Sequence, residues 1–101
     1  MTLAEFKRAV ATPKPPAGLA PTLEALWWAA KGDWDKAHAI VMKQEGRDAA
    51  WVHAYLHRVE GDLDNAGYWY RQAERPAASE PLEAEWDAIA AALIDKEAQA
   101  S

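Results

Sequence analysis

Apolar residues recur at intervals of three and four positions along most of the chain, the spacing that places side chains on one face of an α-helix. No segment alternates apolar and polar residues as a half-buried strand does, and no β-branched run is bracketed by turn glycines. We therefore predict an all-α fold. Six helices are expected, over about residues 3–11, 22–31, 33–44, 48–60, 62–74 and 81–99.

Short polar residues and glycines mark the expected ends of these helices. The side chain of a Ser, Thr or Asp at an N-cap accepts a hydrogen bond from a free backbone N–H. The predicted N-caps are Thr2, Thr22, Asp33, Asp48, Asp62 and Ser79. Gly32, Gly46 and Gly61 are expected to end helices, because glycine adopts the left-handed conformation there at little cost. Pro76 is expected to stop the fifth helix, since proline lacks the N–H.

The distribution of apolar residues differs between the helices. The helix over 22–31 has only Glu24 and Lys31 as polar residues, so it is expected to be buried on both sides. In the helix over 62–74, Tyr68 points away from an arc that contains Leu63, Ala66, Trp69, Tyr70 and Ala73. The last helix has a narrow apolar seam of Leu82, Trp86, Ile89 and Leu93. Because alanine and acidic residues flank this seam, the helix is predicted to cap the fold with a solvated outer face.

A sequence repeat organises the middle of the chain. Five residues recur at an offset of 29 positions: Ala25, Gly32, Asp33, Asp35 and Ala37 are matched by Ala54, Gly61, Asp62, Asp64 and Ala66. Each copy contains a helix, a Gly-Asp turn and a second helix, which predicts two antiparallel helical hairpins over 22–75. A short helix and a proline-rich linker precede them over 1–21. An acidic capping helix follows over 76–101, all within one domain.

The second copy, AYLHRVEGDLDNAGYWYRQA, resembles a tetratricopeptide repeat. That family has a small residue in the first helix, glycine at the turn and two small residues in the second helix. The matching positions are Ala54, Gly61, Ala66 and Ala73, with Tyr70 as the bulky residue between the alanines. The first copy matches through Ala25, Gly32, Ala37 and Val41 and departs at Gln44. Repeats of this family are about 34 residues long. The resemblance implies a protein-interaction module without catalytic residues.

Composition and charge exclude several classes of function. The chain has 101 residues, half of them apolar, and no cysteine, which fits one domain without disulfides or thiolate metal ligands. Its net charge is −5, and the acidic excess lies entirely in 76–101. Because no basic face is visible, we expect no nucleic-acid partner. With no apolar run of about 20 residues and no signal peptide, we expect no membrane contact and a cytoplasmic location.

The aromatic residues suggest where a protein partner would bind. Neighbouring residues on a helix diverge by about 100°, so Trp28 and Tyr68 lie off the main apolar stripes of their helices. They either pack against adjacent helices or, together with Trp69, form an interaction surface, since Trp and Tyr are enriched at interface hot spots. We expect a non-catalytic protein–protein interaction module. Its partner is another protein or a second copy of the chain in a homodimer, because two hairpins are few for a stable array.

His53, His57 and Glu60 support an alternative function. Their spacing of four and three residues places them on one side of a helix, where two imidazoles and a carboxylate could bind a divalent metal or contact a small molecule. The competing interpretation is a solvated polar face with an ordinary His–Glu contact. It is favoured because a structural zinc needs a fourth ligand and a catalytic zinc needs a water in a cleft.

Other chemistry has little support in the sequence. The Asp33/Asp35 and Asp62/Asp64 pairs resemble fragments of calcium loops, but the residue at position twelve lacks a carboxylate in both. The chain shows no nucleophile–base arrangement and no glycine-rich phosphate loop. We therefore expect neither an enzyme nor a bound cofactor.

Overall fold

The computed structural model of the chain describes residues 1–100, which form six α-helices and no strand and so confirm the all-α prediction. The helices are α1 (Leu3–Ala9), α2 (Pro21–Ala30), α3 (Trp34–Val41), α4 (Arg47–Glu60), α5 (Leu63–Ala73) and α6 (Leu82–Ala100). Ser101, the last residue of the predicted segment 76–101, lies outside the described residues. Within the described part of the chain, no helix combines the length and the apolar character that crossing a bilayer requires.

Two helical hairpins, α2/α3 and α4/α5, form the centre of the fold. Both predicted turns are present. Gly32 and Gly61 have φ angles of 83° and 86°, in the left-handed region that glycine tolerates best. Asp33 and Asp62 then act as N-caps, each accepting a hydrogen bond from the backbone N–H three residues later, at 3.1 and 3.2 Å.

Several predicted helix ends are wrong. Thr22 is not the N-cap of α2, because Pro21 occupies the first helical position, where its missing N–H costs no hydrogen bond. Asp48 is not the cap of α4 either; Gly46 precedes that helix, and Asp48 forms an ion pair with Lys96 at 2.8 Å. Helix α3 ends at Val41, not at about residue 44, so Gly46 does not end it. The end of α5 is close to the predicted one, with Glu74 as the C-cap in the left-handed conformation at φ 57°.

Helix α4 is the central element of the molecule. It packs against α5, α3, α6 and α2, and every residue from Ala49 to His57 is buried. A helix with neighbours on all sides offers no direction in which a polar side chain can reach water. The polar residues of α4 therefore depend on partners from the surrounding helices.

Helix α6 packs against α4 and α2, the first helices of the two hairpins, and α1 packs against α6. Trp86 of α6 donates its indole N–H to the carbonyl of Leu26 at 2.9 Å. Phe6 of α1 stacks on the ring of Trp86, with centroids 5.5 Å apart. The predicted seam is partly wrong, since Leu82 is exposed while Ile94 is buried.

Glu85 corrects the expectation of a purely solvated acidic face on α6. Its side chain is 2% exposed and accepts a hydrogen bond from Nη1 of Arg58 at 2.9 Å. The hydroxyl of Tyr70 donates to the second carboxylate oxygen of Glu85. These contacts connect α4, α5 and α6 through one buried carboxylate.

Replacing Glu85 with alanine should destabilise the fold by about 3 kcal/mol, because it leaves the half-buried Arg58 guanidinium and the buried Tyr70 hydroxyl without their partner. Tyr70→Phe should cost about 1 kcal/mol, since it removes one hydrogen bond and keeps the ring. Urea unfolding followed by helical circular dichroism measures both changes. Glu97→Ala, an exposed position on the same helix, is the matched control and should change stability by less than about 0.5 kcal/mol. Equal stability of the Glu85 and Glu97 variants would contradict the assignment.

Candidate metal centre

The three histidines of the chain meet at one place between the two hairpins. His38 lies on α3, and His53 and His57 lie one turn apart on α4. One ring nitrogen from each histidine lies within 4.8 Å of those of the other two. His53 and His57 are each 6% exposed, and His38 is half-buried. Helix packing therefore gathers imidazoles from both copies of the repeat.

Two tryptophans hold the rings in place. Trp34 stacks on His38 with centroids 4.5 Å apart, and Trp69 stacks on His53 with centroids 3.9 Å apart and planes 13° from parallel. The Trp34 ring is itself fixed, since its N–H donates to the carbonyl of Leu56 at 2.6 Å. The imidazoles are thus oriented before any ligand arrives, which lowers the entropy cost of binding.

The nitrogen geometry of His38 and His53 suits a shared ion. Their Nε2 atoms are 3.1 Å apart and face each other. Two nitrogens at a zinc–nitrogen distance of 2.0–2.1 Å and this separation subtend roughly 100° at the metal, close to a tetrahedral angle. A direct hydrogen bond between the two rings is the alternative use of this geometry, with one nitrogen donating and the other accepting.

A second set of polar contacts orients His57. Its Nδ1 lies 2.6 Å from a carboxylate oxygen of Glu60, to which it donates. Its Nε2 lies 3.3 Å from the side-chain amide nitrogen of Asn65. A carboxylate that accepts from one ring nitrogen fixes the tautomer and leaves the lone pair of the other nitrogen for a metal. Asn65 occupies the direction of that lone pair, so it must move when His57 binds an ion.

Two of the histidines, His53 and His38, are poised to act as neutral ligands. Burial lowers the pKa of His53 to about 4, and the neighbouring His57 and His38 act in the same direction. Burial also lowers the pKa of His38, with a further contribution from His57. Both rings are therefore uncharged at neutral pH, and a metal need not displace a proton from a cationic ring.

The structure divides the residues that the sequence suggested for a metal. His53 and His57 belong to the three-histidine group, whereas Glu60 groups with His57 and Asp62. The expectation of a solvated polar face is wrong, because the buried position of α4 places both histidines inside the protein. His38 was missed, although it follows Trp34 by four residues and so lies beside the apolar stripe of α3.

The predicted partner-binding residues occupy different environments. Trp28 is half-buried; its ring meets Trp27 edge-on at 4.9 Å and carries the Lys36 ammonium 4.2 Å from its centroid. Trp69 forms one wall of the histidine cluster. Tyr68 is 47% exposed. Of the three, only Tyr68 is exposed, while Trp28 and Trp69 are half-buried.

A surface cavity of about 460 Å³ reaches the cluster from the side of α3, α4 and α5. His53 and Trp69 form part of its wall, and Gln44, Arg47 and Gln72 supply polar groups near its mouth. The cavity provides a route by which a small ion can approach the otherwise buried imidazoles.

Comparison of the chain with models of protein families, with curated proteins and with solved structures finds no match in any of the three.

The lowered pKa of His53 predicts a pH dependence of stability. An unfolded histidine has a pKa of about 6.5, so between pH 6.5 and 4 the unfolded chain binds a proton that folded His53 does not. The free energy of unfolding is therefore unaffected by this proton above pH 6.5. As the pH falls from 6.5 towards 4, it decreases by up to about 3 kcal/mol. Urea unfolding from pH 7 to 4.5 should show the wild type losing more stability than His53→Gln.

The comparison with His53→Gln cancels the titration of the carboxylates, which both proteins share. A direct check is the NMR titration of the His53 ring, which should remain neutral at pH 5. Parallel stability curves together with a ring pKa near 6.5 would contradict the buried, neutral state.

Proposed function

We propose that this chain binds one divalent transition-metal ion through His38, His53 and His57. The observation that carries the proposal is the convergence of three ring nitrogens from two helices within 4.8 Å. Imidazole is a preferred ligand of zinc, copper and nickel, and the neutral rings of His38 and His53 avoid the cost of burying unpaired charge in the free protein. Histidines at unrelated surface positions would not have their ring nitrogens close together in the interior of the protein.

The surrounding residues support this role. Glu60 would hold the tautomer of His57, as carboxylates commonly do for metal-bound histidines. Trp34 and Trp69 would shield the ion from water on two sides. Three protein ligands leave one position of a tetrahedral zinc for water or another small ligand. The cavity beside His53 and Trp69 gives that ligand a path to the site.

Isothermal titration at pH 7.5 should show binding of one zinc ion per chain, with a dissociation constant in the micromolar range or below. Substituting any one histidine with glutamine should weaken binding by more than about 100-fold. Glu60→Gln should weaken it by about tenfold, the effect expected for a group that orients a ligand. Circular dichroism should confirm that each variant remains folded.

Asp62→Asn is the matched control, because asparagine preserves the helix cap and removes the carboxylate. It should leave zinc affinity unchanged. If it abolishes binding while His38→Gln does not, the ion belongs to the group of His57, Glu60 and Asp62 instead. If none of zinc, nickel and copper binds to the chain at about 0.1 mM, the proposal is refuted.

Self-association through α5 is a second candidate function, favoured by one observation. Tyr68 is exposed on α5 and meets the ring of Trp69 edge-on at 5.0 Å. Tyrosine combines a large apolar ring with a polar tip and is common at interface hot spots.

Light scattering at micromolar concentration should then give the mass of a homodimer, and Tyr68→Ser should give a monomer. Met42→Ser, which removes another exposed apolar side chain, is the control and should leave the dimer intact. If the wild-type protein remains monomeric at about 0.1 mM, self-association through α5 is excluded as a function.

A further inference from the structure

A second cavity, of about 440 Å³, lies on another side of α4, where α1, α2 and α6 surround it. Its apolar wall is formed by Val10, Ala29, Ala30 and Trp86. Tyr55 of α4 contributes the phenol, and Lys7, Glu83 and Asp87 contribute the charged groups. The volume falls within the range of small-molecule sites, which combine apolar walls with a few polar groups.

Tyr55 is the unusual member of this cavity. The residue is 7% exposed, and its hydroxyl makes no hydrogen bond to any described residue. Because every fully buried side-chain N or O atom in residues 1–100 has a partner, the Tyr55 hydroxyl is in contact with solvent. Buried polar groups are nearly always paired with protein or ordered solvent. Tyr70, another buried tyrosine of the fold, donates to Glu85. The Tyr55 hydroxyl therefore retains its capacity both to donate and to accept a hydrogen bond.

Several charged side chains lie near the Tyr55 phenol. Glu85, Arg58, Asp87 and Glu83 act on the phenol, and two of them, Asp87 and Glu83, line the cavity. Burial, followed by the carboxylate of Glu85 and then by those of Asp87 and Glu83, raises the pKa of Tyr55 to about 12, so the hydroxyl stays protonated at neutral pH. Tyr55, Asp87 and Glu83 all line the cavity.

The charge balance at the cavity is negative. Lys7 and Asp87 neutralise each other through an ion pair at 3.2 Å. Glu83 makes no ion pair within residues 1–100. One uncompensated carboxylate beside a free hydroxyl and an aromatic wall attracts a cation that can donate hydrogen bonds.

We infer that this cavity binds a small organic ammonium ion. The ammonium group donates to the Glu83 carboxylate and to the Tyr55 hydroxyl, and the apolar part of the molecule packs against Trp86, Val10 and Ala29. The site shares no residue with the histidine cluster and does not depend on metal binding.

The test compares 2-phenylethylamine, which is a cation at pH 7, with 2-phenylethanol, which has nearly the same shape without the charge. Binding is followed by the NMR shift of the Trp86 indole N–H and by calorimetry. We expect saturable binding of the amine with a dissociation constant below about 1 mM, and binding of the alcohol at least fivefold weaker. Butylamine tests the same site with a smaller apolar part.

Glu83→Gln should weaken amine binding about fivefold and leave alcohol binding unchanged. Glu97→Gln makes the same charge change elsewhere on α6 and is the matched control, with no effect expected. Tyr55→Phe should weaken amine binding while the fold is preserved. His38→Gln should leave amine binding unchanged, which separates this site from the metal centre.

Two outcomes would overturn the inference. Equal affinity for amine and alcohol would mean that the cavity is an apolar cleft without charge selection. No saturable shift of Trp86 with either amine would mean that ordered water alone satisfies the Tyr55 hydroxyl.

Discussion

The burial of α4 from Ala49 to His57 is the constraint on which the rest of the structure depends. Four other helices pack around α4, so each polar side chain of this stretch needs a nearby partner or a cleft through which it meets solvent. His57 is satisfied by Glu60 and Asn65, His53 faces His38, and Arg58 at the end of α4 reaches Glu85. Tyr55 has no protein partner for its hydroxyl, which is in contact with solvent, and the residue lines a cavity. Both proposed sites are consequences of polar residues on an enclosed helix.

The parts of the fold that depend on local chemistry could be predicted from the sequence, and those that depend on packing could not. The Gly-Asp turns could be predicted because glycine sets the local backbone conformation and aspartate accepts a hydrogen bond from a residue three positions later. The burial of His53 could not be predicted from α4 alone. On an isolated helical wheel His53 and His57 share a polar sector with Glu60, and only the arrival of α3 and α5 encloses it. The pairing of His38 with His53 needed the same tertiary information.

The residues that are identical in the two copies of the repeat are not the residues of the histidine cluster. Its identical positions form the turns and the close contacts within the hairpins, as Gly32 and Gly61 illustrate. The cluster occupies positions at which the copies differ: at the offset of 29 residues, His38 is matched by Gly67, His53 by Glu24 and His57 by Trp28. The candidate metal centre is therefore a property of the surface where the copies meet, and a single hairpin could not form it.

The position of the three histidines on both hairpins couples metal binding to the docking of one hairpin on the other. One hairpin supplies His38 and the other supplies His53 and His57, so an ion held by all three would act as a cross-link between two otherwise non-covalently stacked modules. Its binding free energy would be added to the free energy of docking the hairpins, by mass action. Two repeats make a short array with little interface to share. A cross-link between α3 and α4 would make the small stack cooperative, because separating the hairpins would break a bond between the ion and a histidine.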